Sequence, residues 1–369
     1  MDGVWLGVAT VASLPVAFAA LVAAGGWWFS AEPWRGRLTE HFDGNRFRNP
    51  PGGKRRGNPT RDVIKFLTSE RMRGEWRTVD TPPGPKPPAR VGRGEMRVTF
   101  VNHATCLVQV DGLNFLTDPV WSDRVSPVGF AGPKRFAPPG IRLEDLPPID
   151  WILLSHNHYD HLDEATLAHL LRERPARVAT GLGNGVTLAG IGYRNVVECD
   201  WWESIEPAPG LRITFVPAQH FSGRGLFDRD KTLWGGFVVE TAKGGSFYFA
   251  GDTGWGPHFS EIARRFPGIR LALLPIGAFR PEWFMSPVHI GPDEAVEAHD
   301  LLGARTSLVI HYGTFALGSD GMTEPVERLE RALSARNPSR PDVRAVANGA
   351  AFDVPADARA AAGLALSRG

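Results

Sequence analysis

From Met96 onward, the hydrophobic positions form short runs that are separated by Gly, Pro and Asp. Runs of this length, rich in Val, Ile, Leu and Phe and bounded by turn-forming residues, predict β-strands. Short strands therefore dominate this part of the chain. The predicted strands are Met96–Val101, Cys106–Val110, Leu113–Leu116, Trp151–Leu154, Val178–Thr180, Ile213–Val216, Gly236–Glu240, Ser246–Ala250, Leu271–Pro275 and Thr306–Ile310.

Apolar residues recur at helical spacing in a smaller number of segments, one of which opens with Pro292, a residue that suits the first turn of a helix. The predicted helices are Asp163–Arg174, Glu261–Phe266, Pro292–Leu302 and Thr323–Leu333. No repeat at the periods of solenoid proteins is evident. Strands with helices interposed predict an α/β (α+β) protein in which two sheets face each other and helices cover their outer sides.

The beginning of the chain has a different pattern, because no charged residue occurs between Val4 and Phe29. This run exceeds the ~20 residues that cross a bilayer as a helix, and Trp27 and Trp28 at its end are typical of a membrane interface. Basic residues follow the run, so the positive-inside rule predicts a membrane-associated protein with its larger part in the cytoplasm. Small residues within the run leave a cleaved signal as the alternative, which would give a secreted or periplasmic protein.

These patterns divide the chain into four segments. Residues 1–30 are the predicted anchor or signal, residues 31–95 a basic extension rich in Pro and Gly, residues 96–347 the main domain, and residues 348–369 an Ala-rich tail. The 41 basic and 40 acidic residues give a formal net charge of +1, so no overall charge attracts nucleic acid. The only cysteines, Cys106 and Cys199, exclude a disulfide-rich scaffold and an all-thiolate zinc site.

The strongest chemical signal follows the predicted strand Trp151–Leu154. His156, His158, Asp160 and His161 place three imidazoles and a carboxylate within six positions. Imidazole nitrogen and carboxylate oxygen suit zinc and similar ions, and a catalytic zinc keeps an open position for water. In an extended or tightly turned loop the first two histidines project to one side, while the last two ligands can turn toward a second ion. The pattern favours two adjacent ions over one.

Three further residues with metal-binding side chains lie just past predicted strands. His220 follows Ile213–Val216, Asp252 follows Ser246–Ala250, and His311 follows Thr306–Ile310 directly. Loops at one edge of a layered fold can converge on a shared site. A single histidine at a strand end is commonly an ordinary surface or hydrogen-bonded residue, but three such residues beside the first cluster indicate a common site.

The motif His-x-His-x-Asp-His, followed by His220, Asp252 and His311, resembles the metallo-β-lactamase superfamily. Within it, the chain is similar to the N-acylphosphatidylethanolamine-hydrolysing phospholipases D over about Arg46 to Leu333. The resemblance implies the metallo-β-lactamase αββα sandwich, with two facing mixed β-sheets flanked by helices. The stretches that carry it are Phe115–Pro119, Gly132–Phe136, Leu146–Asp150, Ser155–Asp163, Asp200–Glu203, Pro217–His220, Gly251–Gly254, Pro275–Ala278, Trp283–Met285 and His311–Leu317.

The resemblance also implies a ligand set for two Zn²⁺ ions, although other divalent metals suit the same atoms. The first ion would be held by His156, His158 and His220, the second by Asp160, His161 and His311, with Asp252 bridging both. Two adjacent cations lower the pKa of a bridging water, so that hydroxide is available near neutral pH to attack phosphorus. Asp160 or Asp252 would in addition act as a catalytic proton carrier. Tyr159 and His289 match residues that contact the substrate phosphate or headgroup, whereas Val288 stands where the related phospholipase has an amide.

The predicted function is hydrolysis of N-acylphosphatidylethanolamine, or a related phospholipid, to phosphatidic acid and an N-acylethanolamine. The alternative within the superfamily is a lactonase or a soluble phosphodiesterase, because one dinuclear site supports many hydrolyses. A metal-binding protein without turnover is a third hypothesis. The expected partner is a phospholipid at a membrane, with no nucleic acid, and a homodimer is possible in this family.

Overall fold

The computed structural model describes residues 24–356, apart from residues 55–56, 58–60, 63–64, 67, 69–73, 174 and 338. In this part of the chain, the strands form two sheets of seven strands each. The strands are β1 (Met96–Asn102), β2 (Thr105–Val110), β3 (Leu113–Thr117), β4 (Trp151–Leu154), β5 (Arg177–Gly181), β6 (Val196–Cys199), β7 (Ser204–Ala208), β8 (Leu211–Val216), β9 (Gly236–Thr241), β10 (Gly245–Phe249), β11 (Ile269–Pro275), β12 (Thr306–Ile310), β13 (Val343–Arg344) and β14 (Ala351–Asp353).

Both sheets are mixed and have the same plan. The first sheet has the order β14-β1-β2-β3-β4-β5-β6 and the second the order β13-β12-β11-β10-β9-β8-β7. In the first sheet the pairs from β14 to β3 are antiparallel, and those from β3 to β6 are parallel. In the second sheet the pairs from β7 to β10 are antiparallel, and those from β10 to β13 are parallel. The parallel strands of each sheet therefore end at one edge.

Helices cover the outer face of each sheet. They are α1 (Glu164–Glu173), α2 (Gly185–Gly190), α3 (His258–Arg265), α4 (Glu282–Met285), α5 (Pro292–Leu302) and α6 (Glu324–Ser334). Leu167 and Leu170 of α1 pack on the first sheet, and apolar residues of α3, α5 and α6 pack on the second. The layers are helix, sheet, sheet and helix, so the predicted αββα sandwich is confirmed.

The hydrophobic layer between the sheets contains large aromatic side chains such as Phe115, Phe215 and Phe247. Strand β11 is buried on both faces, because Leu273 points into this layer and Leu274 into the layer beneath the helices. Two-sided burial explains why its sequence reads as a continuous apolar run. Truncating a buried phenylalanine of this layer to alanine costs about 3–5 kcal/mol of the free energy of unfolding.

The prediction of membrane association through an N-terminal spanning segment is wrong for the part of the chain that the structure describes. No helix among the described residues has both the length and the apolar composition needed to cross a bilayer. Residues 24–28 are helical. Residues 1–23 of the predicted anchor lie outside the described residues.

Part of the predicted N-terminal extension packs against the main domain. Phe42 and Phe47 are buried in the layer between the sheets, and Phe47 N donates to Asp230 O at 2.8 Å. The predicted tail also contributes to the fold, because β14 pairs with β1. The segment boundaries inferred from composition stay predictions.

Candidate metal centre

The predicted ligands lie in loops at one edge of the two sheets. Strand β4 ends immediately before the histidine-rich loop, and β3, which is parallel to it, ends immediately before Asp118. From the second sheet, His220 follows β8, Asp252 follows β10 and His311 follows β12 directly. Because the two sheets face each other, these loops meet above the layer between them, and the seven predicted ligands come together there.

Hydrogen bonds orient three of the imidazoles. His161 Nδ1 donates to Asp118 Oδ2 at 2.6 Å, and His220 Nδ1 donates to Val288 O at 2.9 Å. Ser155 Oγ donates to Asp118 Oδ2 at 2.5 Å, so this hydroxyl can only accept from His156 Nδ1, at 2.8 Å. Each ring therefore directs Nε2 into the site, as a metal-binding histidine does when its other nitrogen is fixed by a neighbouring acceptor.

The first group of candidate ligand atoms consists of His156, His158 and His220, whose nitrogens lie within 4.8 Å of one another. His158 Nδ1 is 2.8 Å from His156 Nε2 and 3.3 Å from His220 Nε2. Three ring nitrogens that face one another at these distances match the set predicted for the first ion.

The second group consists of Asp160, His161 and His311, together with His103. Asp160 Oδ2 is 3.3 Å from His161 Nε2 and 3.5 Å from His311 Nε2. Asp252 Oδ2 lies between the groups, because it is 3.2 Å from His161 Nε2, 3.1 Å from His311 Nε2 and 3.8 Å from His220 Nε2. Asp252 therefore contacts both groups, and its role as a bridging ligand stays a prediction.

Burial and charge act differently on the two groups. Burial lowers the pKa of His158 to about 4 and those of His156 and His220 well below the usual value. Burial would also lower the pKa values of His161 and His311, but the neighbouring carboxylates of Asp252 and Asp160 raise these values by more than burial lowers them. The pKa of His161 is raised well above its usual value, and that of His311 to about 9.

The carboxylates respond in the opposite sense. Burial would raise the pKa of Asp252 and of Asp160, but the neighbouring imidazolium charges, above all that of His161, hold both well below the usual range. The second group thus carries two negative charges close to two protonated rings. A cation that binds the same atoms must displace these protons.

The donor set fits divalent cations. In the described part of the chain, Asp252 Oδ1 is buried and has no hydrogen-bond partner. Buried polar atoms are normally paired, and a bound ion is one of the accepted reasons for an exception. Imidazole nitrogens with carboxylate oxygens are ligands that Zn²⁺ and its neighbours bind in proteins.

The loops reach this arrangement through unusual backbone conformations. His311 has φ 64°, His103 φ 47° and Asp118 φ 30°, which is a region that side chains other than glycine rarely adopt and that concentrates at functional sites. Gly251 has φ 60°, and a Cβ there would lie 2.6 Å from Ser155 Cβ. Glycine at this position lets the Asp252 loop approach the histidine-rich loop.

The two predicted substrate residues have different surroundings. His289 is buried, and its Nδ1 is 3.8 Å from Asp252 Oδ2. Burial lowers the pKa of His289 to about 3, so the ring is neutral at pH 7. Tyr159 is half-buried beneath the guanidinium of Arg224, whose central carbon is 3.9 Å from the ring centroid. A cavity of about 810 Å³ borders Tyr159, Arg224 and Trp28.

Sequence reasoning missed several groups that support the ligands. Asp118 lies just past a strand, as the predicted ligands do, so the same criterion would have found it. His103, which the resemblance implies as a supporting residue, has its Nε2 3.0 Å from Asp160 Oδ2. His258 bonds Thr253 Oγ1 at 3.0 Å, and this hydroxyl also accepts from Gln219 N, next to the predicted ligand His220. No sequence signal linked His258 or Thr253 to the site.

A family model described as "Beta-lactamase superfamily domain" matches residues 113–312. The chain is 42% identical over 249 residues to "N-acyl-phosphatidylethanolamine-hydrolyzing phospholipase D 1" of Caenorhabditis elegans, which covers 64% of this chain and 70% of that protein. It is 37% identical over 237 residues to the mitochondrial protein of that description in Saccharomyces cerevisiae, covering 63% of this chain and 50% of the other.

A solved structure extends the comparison to the fold. The metallo hydrolase Igni18 of the hyperthermophilic archaeon Ignicoccus hospitalis superposes with a TM-score of 0.54 at 24% sequence identity. The alignment covers 71% of this chain and 100% of that one.

Proposed function

The chain belongs to the beta-lactamase superfamily, and from this premise we propose that it is a dinuclear zinc phosphodiesterase of the phospholipase D type. The proposed substrate is N-acylphosphatidylethanolamine or a related phospholipid, and the products are phosphatidic acid and an N-acylethanolamine.

The observation that carries the proposal is the convergence of seven side chains from loops of both sheets. Their nitrogen and oxygen atoms form two adjacent groups, and Asp252 Oδ2 lies within 3.8 Å of ring nitrogens in both. An isolated structural zinc needs four ligands in a closed tetrahedron. Two groups of three ligands that share a carboxylate instead suit a pair of ions with positions left for water and substrate.

In this proposal one ion is held by His156, His158 and His220, and the other by Asp160, His161 and His311. Bound divalent ions would supply an ionised water near neutral pH and would neutralise the phosphodiester oxygens. Asp118 and the carbonyl of Val288 hold the rings of His161 and His220 in the binding orientation. The peptide carbonyl of residue 288 performs this task, so it does not depend on the side chain in which this sequence departs from the related phospholipase.

The reaction breaks one bond to phosphorus and forms another. Water adds to the phosphorus atom, the bond from phosphorus to the ethanolamine oxygen breaks, and the leaving oxygen takes a proton. Asp160 is the more exposed of the two carboxylates, with 13% of its side chain accessible against 2% for Asp252. It is therefore better placed to exchange that proton. His289, being neutral, would donate an N–H to a phosphoryl oxygen.

The relatives support the choice of substrate. Two of the curated proteins that the chain resembles carry the description N-acyl-phosphatidylethanolamine-hydrolyzing phospholipase D. The fold alone does not select a substrate, since one superfamily hosts many hydrolyses.

The test uses purified protein of known metal content in detergent. Its rates on N-acylphosphatidylethanolamine, a bis-aryl phosphate ester and a lactone are compared, and the products are identified by mass spectrometry. Hydrolysis in ¹⁸O-water is expected to place the label in phosphatidic acid, because water attacks phosphorus. Label in the N-acylethanolamine would contradict this mechanism, and turnover of the lactone or the aryl ester alone would favour the alternative enzymes.

A matched pair of variants links activity to the site. His158→Gln is expected to lose metal and phospholipid hydrolysis. His299→Gln changes a buried histidine that bonds Ser307 Oγ at 2.8 Å and touches none of the seven predicted ligands, so it is expected to retain both. Full hydrolysis by folded His158→Gln would refute the proposal.

A further inference from the structure

A short segment of the N-terminal extension lies against the metal centre. Phe47 is buried, and its backbone N–H donates to Asp230 O at 2.8 Å. Asn49 follows two residues later and is succeeded by Pro50 and Pro51. A following proline restricts the preceding residue to extended conformations. The backbone of Asn49 is therefore restrained on both sides, by the hydrogen bond of Phe47 N before it and by the two prolines after it.

The side-chain amide of Asn49 pairs with the backbone of His220. His220 N donates to Asn49 Oδ1 at 2.8 Å, and Asn49 Nδ2 donates to His220 O at 2.7 Å. Trp234 Nε1 also donates to Asn49 Oδ1, at 3.1 Å. Only one orientation of the amide satisfies all three bonds, so the network fixes the assignment of oxygen and nitrogen.

The same histidine is held at its ring by a different element. His220 Nδ1 donates to Val288 O, which leaves Nε2 directed toward His158 Nδ1 and Asp252 Oδ2. One contact restrains the ring and the other restrains the peptide that carries it. Trp234 Nε1 also donates to Ala218 O, so Asn49, Trp234 and the loop before His220 form one connected network.

We propose that Asn49 is a positioning residue of the metal centre, and that it sets the direction from which His220 Nε2 meets a metal ion. The centre then includes part of the chain that lies outside residues 113–312, where the family model matches. The inference rests on the proposed function, because the role of His220 as a ligand is part of it.

The effect should exceed that of an ordinary surface hydrogen bond. Partners that orient metal ligands typically contribute roughly 10- to 100-fold to metal affinity. Asn49→Asp keeps the size of the side chain and its acceptor toward His220 N, but it loses the donor and places a carboxylate oxygen against His220 O. The His220 peptide must then move, and Nε2 moves with it.

The experiment compares Asn49→Asp with Asn114→Asp in full-length protein. Asn114 is a fitting control because it is buried and also ties the extension to the main domain, through Nδ2 bonds to Ala89 O and Pro148 O. It contacts none of the seven predicted ligands. Zinc affinity is measured by competition with a chelating dye, and the visible spectrum of Co²⁺-loaded protein reports ligand geometry directly.

Asn49→Asp is expected to shift the Co²⁺ spectrum and to weaken zinc binding by roughly 10- to 100-fold, whereas Asn114→Asp leaves both unchanged. An unchanged spectrum and affinity in Asn49→Asp would overturn the inference, as would equal losses in both variants. If Asn49→Asp does not fold, Trp234→Phe removes the two bonds that Trp234 Nε1 donates, to Asn49 Oδ1 and to Ala218 O. It is expected to shift the spectrum in the same direction, and no shift would overturn the inference. Wild-type protein that binds no Co²⁺ would overturn the proposed function itself, and this is measured before any variant.

Discussion

Asp118 connects both groups of the metal centre, so its replacement by asparagine tests the proposed geometry. The carboxylate accepts directly from His161 Nδ1, and through Ser155 Oγ it also orients His156. His161 belongs to the second group and His156 to the first. Asp118→Asn keeps the shape of the side chain but removes its charge, so we expect weaker binding at both proposed ions.

The expected losses of stability and of metal affinity in Asp118→Asn follow from the hydrogen bonds that Asp118 accepts. Asp118 accepts three of them, from Ser155 Oγ at 2.5 Å, His161 Nδ1 at 2.6 Å and Ser155 N at 2.8 Å. An amide has a single acceptor oxygen and cannot accept all three, so at least one buried donor is left unpaired, which costs about 1–3 kcal/mol of the free energy of unfolding. For metal binding, loss of an orienting carboxylate typically weakens affinity by about 10- to 100-fold.

The assay is a competition titration of zinc against a chelating dye, combined with urea unfolding of the metal-loaded and chelator-treated protein. Ser155→Ala removes only the branch to His156, so it should weaken the first site and spare the second. Asp200→Asn is the matched control, because Asp200 bonds His41 Nε2 at 2.5 Å outside the centre. Asp118→Asn protein that is folded and binds zinc within twofold of the wild-type affinity would refute the reasoning.

Three further predictions concern the same site. Removing the metal with a chelator is expected to lower the midpoint of thermal unfolding. A ligand present at 1,000 times its dissociation constant stabilises the folded state by about 4 kcal/mol, and this contribution is lost. An unchanged midpoint in differential scanning calorimetry would argue against a bound metal. Because the pKa of His311 is raised to about 9, zinc binding at pH 7 should release protons, and its affinity should rise with pH up to about 9; calorimetry in buffers of different ionisation enthalpy measures this. In chelated protein, the stability contributed by His311 is full below its unfolded pKa of about 6.5 and is lost as the pH rises through about 9. Gly251→Ala should weaken metal binding, because a Cβ there would lie 2.6 Å from Ser155 Cβ at φ 60°; unchanged affinity would show that the two loops can separate without moving Asp252.

The strands that sequence patterns identified share a physical property. The ten predicted strands correspond to the interior strands of the two sheets, whereas β6, β7, β13 and β14 are the edge strands. An interior strand is paired on both sides and covered on both faces, so it reads as an apolar run. The edge strand β7 alternates between exposed and half-buried residues and contains Pro207, a residue that sheets tolerate at their edges. Its sequence is therefore difficult to distinguish from a loop.

The wrong prediction of an N-terminal spanning segment also arose from reading a local pattern without its tertiary contacts. A long uncharged run has the composition of a spanning helix, but composition alone does not show what the end of such a run packs against. The described helix at residues 24–28 is followed by a segment that contacts the main domain, where Ala31 N donates to Asp228 Oδ2 at 2.8 Å. Local hydropathy carries no information about such distant partners.

The sequence by itself determined the kind of donor atoms, their order along the chain and their placement at strand ends, because these depend on residue type and local pattern. Only the tertiary structure decided that Asp118 orients two rings, that Val288 contributes a carbonyl and that Asn49 holds the peptide of His220. These contacts join residues far apart in sequence, and Asn49 and His220 are separated by 171 positions. A side-chain amide or a peptide carbonyl has no distinctive pattern of its own, so its role arises only when the fold brings it against a ligand.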